Sequence, residues 1–354
     1  MSLLDRFIPV WLLLAMLAGI ALGRLAPGLA PMLDSLSVGG ISLPIALGLL
    51  IMMYPPLAKV RYDKTRDVAA DTRLMSVSLF LNWVVGPAVM FALAWLFLPD
   101  QPELRTGLII VGLARCIAMV LVWTDMACAD REVTAVLVAV NSVFQVLMFG
   151  VMGWFYLQVL PTWLGLSTTA ADFSFTDIVT SVLVFLGIPL LAGALSRVVG
   201  ERVRGRDWYE STFLPAISPL ALIGLLYTVV LLFALQGDQI TSNPLSVASV
   251  ALPLLCYFAG MFFLALAVSK LIGLNYEQSA AVSFTAAGNN FELAIAVAIG
   301  TFGATSGQAL AGAVGPMVEI PVLVGLVYVM RSLRPRWNPG RNPGQNRFSP
   351  RTQG

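Results

Sequence analysis

The sequence predicts an all-α integral membrane protein of ten transmembrane helices, on three observations. Only 11% of the 354 residues are charged while 58% are hydrophobic, and the mean hydropathy is +0.86. A water-soluble chain carries about 25% charged residues. The apolar residues also come in long runs free of Asp, Glu, Lys and Arg: Phe7 to Gly23, Ser35 to Ala58, Leu74 to Pro99, Val133 to Ala171, Ile178 to Ser196, Ser211 to Gly237 and Gln239 to Ser269. A helix that crosses a bilayer needs about 20 such residues. Third, the basic residues are sided, as argued below.

Read in order, the spans fall at 8–26, 40–58, 75–98, 106–124, 132–158, 177–198, 213–235, 246–269, 278–301 and 307–330. The first follows Arg6 and reads as a retained span, since no small-residue cleavage site stands out after it. Pro55-Pro56 is expected to close the second span, because proline cannot continue a helix. With ten spans and a cytoplasmic N-terminus, every lysine and arginine except Arg24, Arg105 and Arg115 falls on the cytoplasmic side or in the tail. This is the asymmetry that sets membrane orientation, and a miscount of one helix would scramble it. Both termini are therefore expected in the cytoplasm.

Residues 1–165 hold five spans and residues 172–333 five more, joined by an outer connection near Pro161–Asp177 without a basic residue. An odd number of spans per half turns the halves upside down relative to one another. Inverted repeats with a site near the midplane on interrupted helices are the common architecture of secondary transporters. Residues 334–354, rich in Arg, Asn, Pro and Gly, have no apolar face to bury and are expected to be a disordered cytoplasmic tail.

Several function classes are set aside. The net charge of +2 says nothing about nucleic acid, but no compact basic domain exists, and nucleic acid is not an expected partner. Three cysteines are too few for a disulfide scaffold. No histidine is present, so the commonest metal ligand and general base is missing. No loop offers a cofactor motif, so neither an enzyme nor a bound cofactor is expected. A small solute, protons and lipid remain as partners.

Polar residues within spans mark where chemistry sits. The fourth span reads Gly112-Leu-Ala-Arg115-Cys116 and the ninth Gly288-Asn289-Asn290-Phe-Glu292. An arginine at the bilayer centre costs about 2.5–3.5 kcal/mol, so Arg115 should face the interior and pair with Glu292 or Glu319, the acids deepest within spans. Gly288-Asn289-Asn290 reads as a helix break, with asparagine restarting the helix as an N-cap. The fourth span has only Gly112 as a break signal. Arg115 should lower the pKa of the adjacent Cys116 thiol, and thiolate selects soft, thiophilic species. Asn141 and Gln145, four apart, share a helix face and could bond the hydroxyls of a neutral solute. A lone cysteine in a membrane is ordinarily a packing residue, which is how Cys128 and Cys256 are read.

The stretch "GLARCIAMVLVWTDMACADREVTAVLVAVNSVFQ" at Gly112–Gln145, with "MMYPPLAKVRY" at Met52–Tyr62 and "AAGNNFELAIAVAIG" at Ala286–Gly300, resembles the arsenical-resistance permeases. These arsenite efflux proteins belong to the bile acid, arsenite and riboflavin transporter superfamily. The resemblance implies discontinuous, crossing fourth and ninth helices, and export of arsenite, often with antimonite, driven by proton influx. It implies functional roles for Arg115, Cys116, Asn141, Glu292 and Glu319. Cys116 then reads as the metalloid ligand, Arg115, Asn141, Gln145, Asn289 and Asn290 as substrate-binding, and Glu292 and Glu319 as proton-coupling. No residue is read as catalytic. The expected location is the bacterial inner membrane, multi-pass. Ile117 departs from the threonine usual after the Arg-Cys pair. The competing expectation is a sodium-coupled symporter of an organic anion, as in the bile acid branch.

Overall fold

The computed structural model describes residues 7–26, 28–38, 41–60, 71–166, 175–303 and 305–337. Apart from a two-residue antiparallel ladder, Ser37–Val38 with Ile41–Ser42, every described element is helical. The helices are α1 (Ile8–Leu25), α2 (Leu29–Ser35), α3 (Leu43–Ala58), α4 (Thr72–Phe97), α5 (Pro102–Leu113), α6 (Met119–Met126) and α7 (Arg131–Trp163). They continue as α8 (Phe175–Arg204), α9 (Arg206–Ser242), α10 (Pro244–Leu271), α11 (Tyr276–Ala287), α12 (Phe291–Phe302) and α13 (Gly307–Trp337).

Among the described residues, six helices are long and apolar enough to cross a membrane: α4, α7, α8, α9, α10 and α13. Helices α1, α3 and α12 are apolar but shorter. Leu17, Leu96, Leu147 and Leu191 all stand exposed on outward faces. So much bare apolar surface suits lipid and not water. The chain is a multi-pass, all-helical membrane protein.

Proline shapes these helices without ending them. Four π-helical turns, Leu81–Val85, Phe155–Val159, Leu183–Gly187 and Tyr209–Phe213, each end two residues before a proline: Pro87, Pro161, Pro189 and Pro215. A proline ring clashes with the carbonyl four residues back. Widening the helix by one residue relieves that clash, and the N–H before each proline bonds five residues back, as Gly86 does to Leu81. Pro55 and Pro56 likewise lie inside α3, which runs on to Ala58. The expected stop is thus displaced, because other helices satisfy the orphan carbonyls at this end. Tyr209 Oη donates to Ala58 O at 3.1 Å, and Arg197 donates to Ala58 O and Lys59 O at 3.4 and 3.3 Å.

Glycines set the helix contacts. Gly19 and Gly23 of α1 rest on α9 around Val230–Ala234, Gly48 of α3 on Tyr227 and Thr228 of α9, and Gly193 of α8 on Leu57 and Ala58. Small residues let backbones approach in a medium with no hydrophobic drive for association. Elsewhere α10 packs on α4, α11 and α13, and α13 also packs on α5 and α12. The expected fourth span is two helices, α5 and α6, and the expected ninth is α11 and α12. The segment 167–174 between the two expected halves lies outside the described residues. So does 338–354, while α13 itself runs on to Trp337, whose Nε1 donates to Leu274 O at 3.3 Å.

Candidate functional site

The two interruptions face each other. Helix α5 ends at Leu113 and Ala114 turns extended, with φ −83° and ψ 112°. Helix α11 ends at Ala287 and Gly288 is extended too, with φ −73° and ψ 147°. Arg115 and Asn289 then pair as an antiparallel bridge. Asn290 N donates to Ala114 O at 3.0 Å and Cys116 N to Gly288 O at 3.4 Å. Backbone that leaves a helix within a bilayer needs partners from the protein itself. Here each break supplies the other's.

Side chains complete the seal. Gln145 Oε1 of α7 accepts from the Arg115 backbone N–H. Asn289 Nδ2 donates at 2.5 Å to Val111 O in the last turn of α5, which also accepts from Ala114 N at 3.1 Å. Asn290 is the N-cap of α12, its Oδ1 accepting from Leu293 N at 3.1 Å, as its sequence position implies. Gly288 is needed for space and not for conformation, since its φ is negative. A Cβ there would lie 3.1 Å from Cys116 Cβ and 3.4 Å from Glu319 Oε1. Cys116, from the break between α5 and α6, and Glu319, from α13, therefore converge on one glycine.

The expected ion pair of Arg115 is not found. Among the described residues its guanidinium makes no salt bridge with Glu292 or Glu319. Nη1 donates to Tyr257 Oη of α10 at 2.8 Å and Nη2 donates to Gly112 O. The reason is local geometry. Successive side chains of an extended segment leave on opposite sides. Arg115 goes toward α4 and α10, and Cys116 toward Gly288. The cation is held instead at the C-terminal end of α5, where the free carbonyls favour positive charge. Gly86 of α4 makes room for it: a Cβ there would come within 2.7 Å of Arg115 Nη1 and 3.1 Å of Tyr257 Oη.

Buried polar atoms gather at this crossing. Cys116 is 2% exposed and Glu319 4%, and Arg115, Asn141, Gln145, Asn289 and Asn290 are all buried, while Glu292, in the first turn of α12, is half-buried. Several of these side chains have one polar atom bonded and another without a hydrogen-bond partner. Asn141 Oδ1 accepts from Trp83 Nε1 at 3.0 Å, yet its Nδ2 bonds nothing. Gln145 Nε2, Asn289 Oδ1, Asn290 Nδ2 and Arg115 Nε are in the same position, and Glu319 Oε1 also lacks a hydrogen-bond partner. Each such atom costs about 1–3 kcal/mol when left unbonded. A polar occupant that both donates and accepts would meet these atoms.

Trp83, Gly86 and Tyr257 were not legible in the sequence. Trp83 and Gly86 lie in an uncharged run where nothing but the nearby Pro87 sets them apart, and Tyr257 is one tyrosine within a long apolar helix. A cavity of about 290 Å³ lies beside α6 and α7, lined among others by Lys59, Leu121, Thr124, Asp125, Arg131 and Val138.

Comparison with known proteins gives a consistent result. The description "Sodium Bile acid symporter family" matches residues 46–243. The arsenical-resistance protein Acr3 of Corynebacterium glutamicum is 73% identical over 338 residues, 96% of this chain and 91% of that protein. The arsenical-resistance protein Acr3 of Alkaliphilus metalliredigens is 31% identical over 345 residues, 95% of this chain and 94% of that protein. An uncharacterized transporter of Synechocystis is 35% identical over 350 residues, 94% of this chain and 89% of that protein. Full-length identity at this level, with the fold described above, means that the chain belongs to the arsenical-resistance permease family, within the wider sodium and bile acid symporter family.

Proposed function

We propose that this protein exports arsenite, and antimonite with it, from the cytoplasm across the bacterial inner membrane in exchange for protons. The observation that carries this reading is the 73% identity, over 96% of the chain, to a protein named for arsenical resistance. The spans number ten. Helices α1, α3, α4, α5–α6 and α7 form one repeat, and α8, α9, α10, α11–α12 and α13 form its inverted copy, with both termini cytoplasmic. In each half the fourth span is broken and the fifth carries buried polar residues, Asn141 and Gln145 in one and Glu319 in the other.

Arsenite near neutrality is a mostly uncharged trihydroxide, so it leaves water without the cost of burying an ion. Cys116 exchanges for one hydroxyl: an arsenic–sulfur bond forms, and the thiol proton leaves with the hydroxyl as water. One sulfur holds the arsenic reversibly, as a carrier needs. Asn141 Nδ2, Gln145 Nε2 and Asn290 Nδ2 bond the remaining hydroxyls. Glu319, packed against the same glycine as Cys116, and Glu292 exchange the proton whose charge biases which face opens. Arg115 anchors the break through Gly112 and Tyr257. Sodium-coupled uptake of an organic anion would leave Cys116 without a role.

The test is arsenite accumulation in everted vesicles under an imposed pH gradient. Glu292→Ala is expected to abolish the gradient-driven part. Accumulation that survives the substitution undiminished would overturn the coupling assignment.

A further inference from the structure

The cavity beside α6 and α7 is lined by the exposed Arg131 and half-buried Asp125, here called its mouth, and by the aliphatic Leu121 and Val138. At the mouth, Arg131 and Asp125 form a two-point ion pair, Nε to Oδ1 at 2.5 Å and Nη2 to Oδ2 at 3.1 Å, with Lys59 and Thr124 beside them. Along α6 and α7, on the side of the break, the lining continues with the half-buried Leu121 and the buried Val138. Helix geometry connects this cavity to the crossing. On α7, Arg131, Val138 and Gln145 recur every seven residues on one stripe, with Asn141 at its edge. Val138 is three residues from Asn141, about 4.5 Å along the axis. On α6, Leu121 lies nearer Cys116 in sequence than Thr124 and Asp125 do. In order along the helix axes, Leu121 and Val138 fall between Asp125 and Arg131 on one side and the break with Asn141 and Gln145 on the other, and Val138 is 1% exposed.

We propose that Leu121 and Val138 form a filter for charge. A solute entering from the mouth sheds water against two side chains that return no hydrogen bond. An ion loses the most there, and a neutral polyhydroxy solute loses the least and regains bonds one helical turn further in. The charged mouth gathers polar solutes of either kind, and the floor admits the uncharged ones. This inference rests on reading the crossing as the substrate site. It assigns to Leu121 and Val138 a selectivity that Cys116 alone lacks, since a thiol reacts with charged and neutral partners alike.

The test uses the full-length protein with Cys128→Ser and Cys256→Ser, leaving Cys116 as its one thiol. Rates of Cys116 modification are compared for methyl methanethiosulfonate, which is neutral, and its sulfonatoethyl analogue, an anion, added to everted and right-side-out vesicles. Each rate is divided by the reagent's rate with a free thiol. The neutral reagent is expected to be favoured by at least about tenfold, with Val138→Thr and Leu121→Ser each removing most of that preference by speeding the anion. Val138→Thr keeps the side-chain volume, so the result does not hang on a variant that fails to fold. Equal normalised rates in the parent, or an anion rate unmoved in both variants, would overturn the filter. Arsenite transport measured in parallel separates the two ideas: a filter present in a carrier that moves no arsenite refutes the proposed cargo and leaves the filter standing.

Discussion

Arg115 and Asn289, from two different interrupted helices, pair backbone to backbone as in an antiparallel ladder. The two breaks are thus one structure, and a change on either side should be felt on the other.

Gly288 is where that coupling is tightest. A methyl group there would press on Cys116 Cβ at 3.1 Å and Glu319 Oε1 at 3.4 Å. Gly288→Ala should fold and insert, since its backbone conformation is open to alanine, but lower arsenite transport by about 10²-fold through displacement of the thiol. Transport rates normalised to membrane protein level check this.

Asn290 has two separable duties. Its Oδ1 caps α12, and its Nδ2 is free for a substrate hydroxyl. Asn290→Ala should cost about 1 kcal/mol of stability through the lost cap. Asn290→Ser should restore most of that stability and leave transport impaired. Thermal unfolding midpoints alongside transport assays would show the split.

The Arg115–Tyr257 contact gives a third expectation. Tyr257→Phe removes the hydroxyl that receives Nη1 and leaves a buried donor of a cation without its partner. The expected loss is about 1–3 kcal/mol of stability. Gly86→Ala, which pushes on the same guanidinium, should mimic it. A double variant should then lose less than the sum of the two, because one contact is removed twice.

Outside the spans, Cys128 holds a positive φ of 58° in the turn after α6, where Ala129 N bonds back to Thr124 O at 2.9 Å. This is the left-handed position that ends many helices and favours glycine. Cys128→Gly should raise the unfolding midpoint, with a gain of about 1 kcal/mol, and leave transport unchanged.

The membrane helices were legible because lipid imposes a simple rule: long uncharged runs and sided basic residues. The break at Gly288–Asn290 was legible from glycine and asparagine, although glycine serves there for space and not for backbone freedom. The break at Ala114–Ala118 had only Gly112 as a signal and was expected chiefly from the resemblance, since Ala-Arg-Cys-Ile-Ala suits a helix and is held open by bonds to a segment some 170 residues away. The partner of Arg115 was misread for a related reason. Sequence suggests acids as partners for a buried cation, whereas the protein uses a tyrosine hydroxyl and the carbonyl end of the helix that the arginine itself terminates.

The most direct measurement is concentrative arsenite uptake into everted vesicles by the unsubstituted protein, by Cys116→Ser, and by Cys128→Ser with Cys256→Ser. Loss of uptake in Cys116→Ser alone, with the other two proteins equal, is the expected result. Uptake by Cys116→Ser at the rate of the unsubstituted protein would contradict the account.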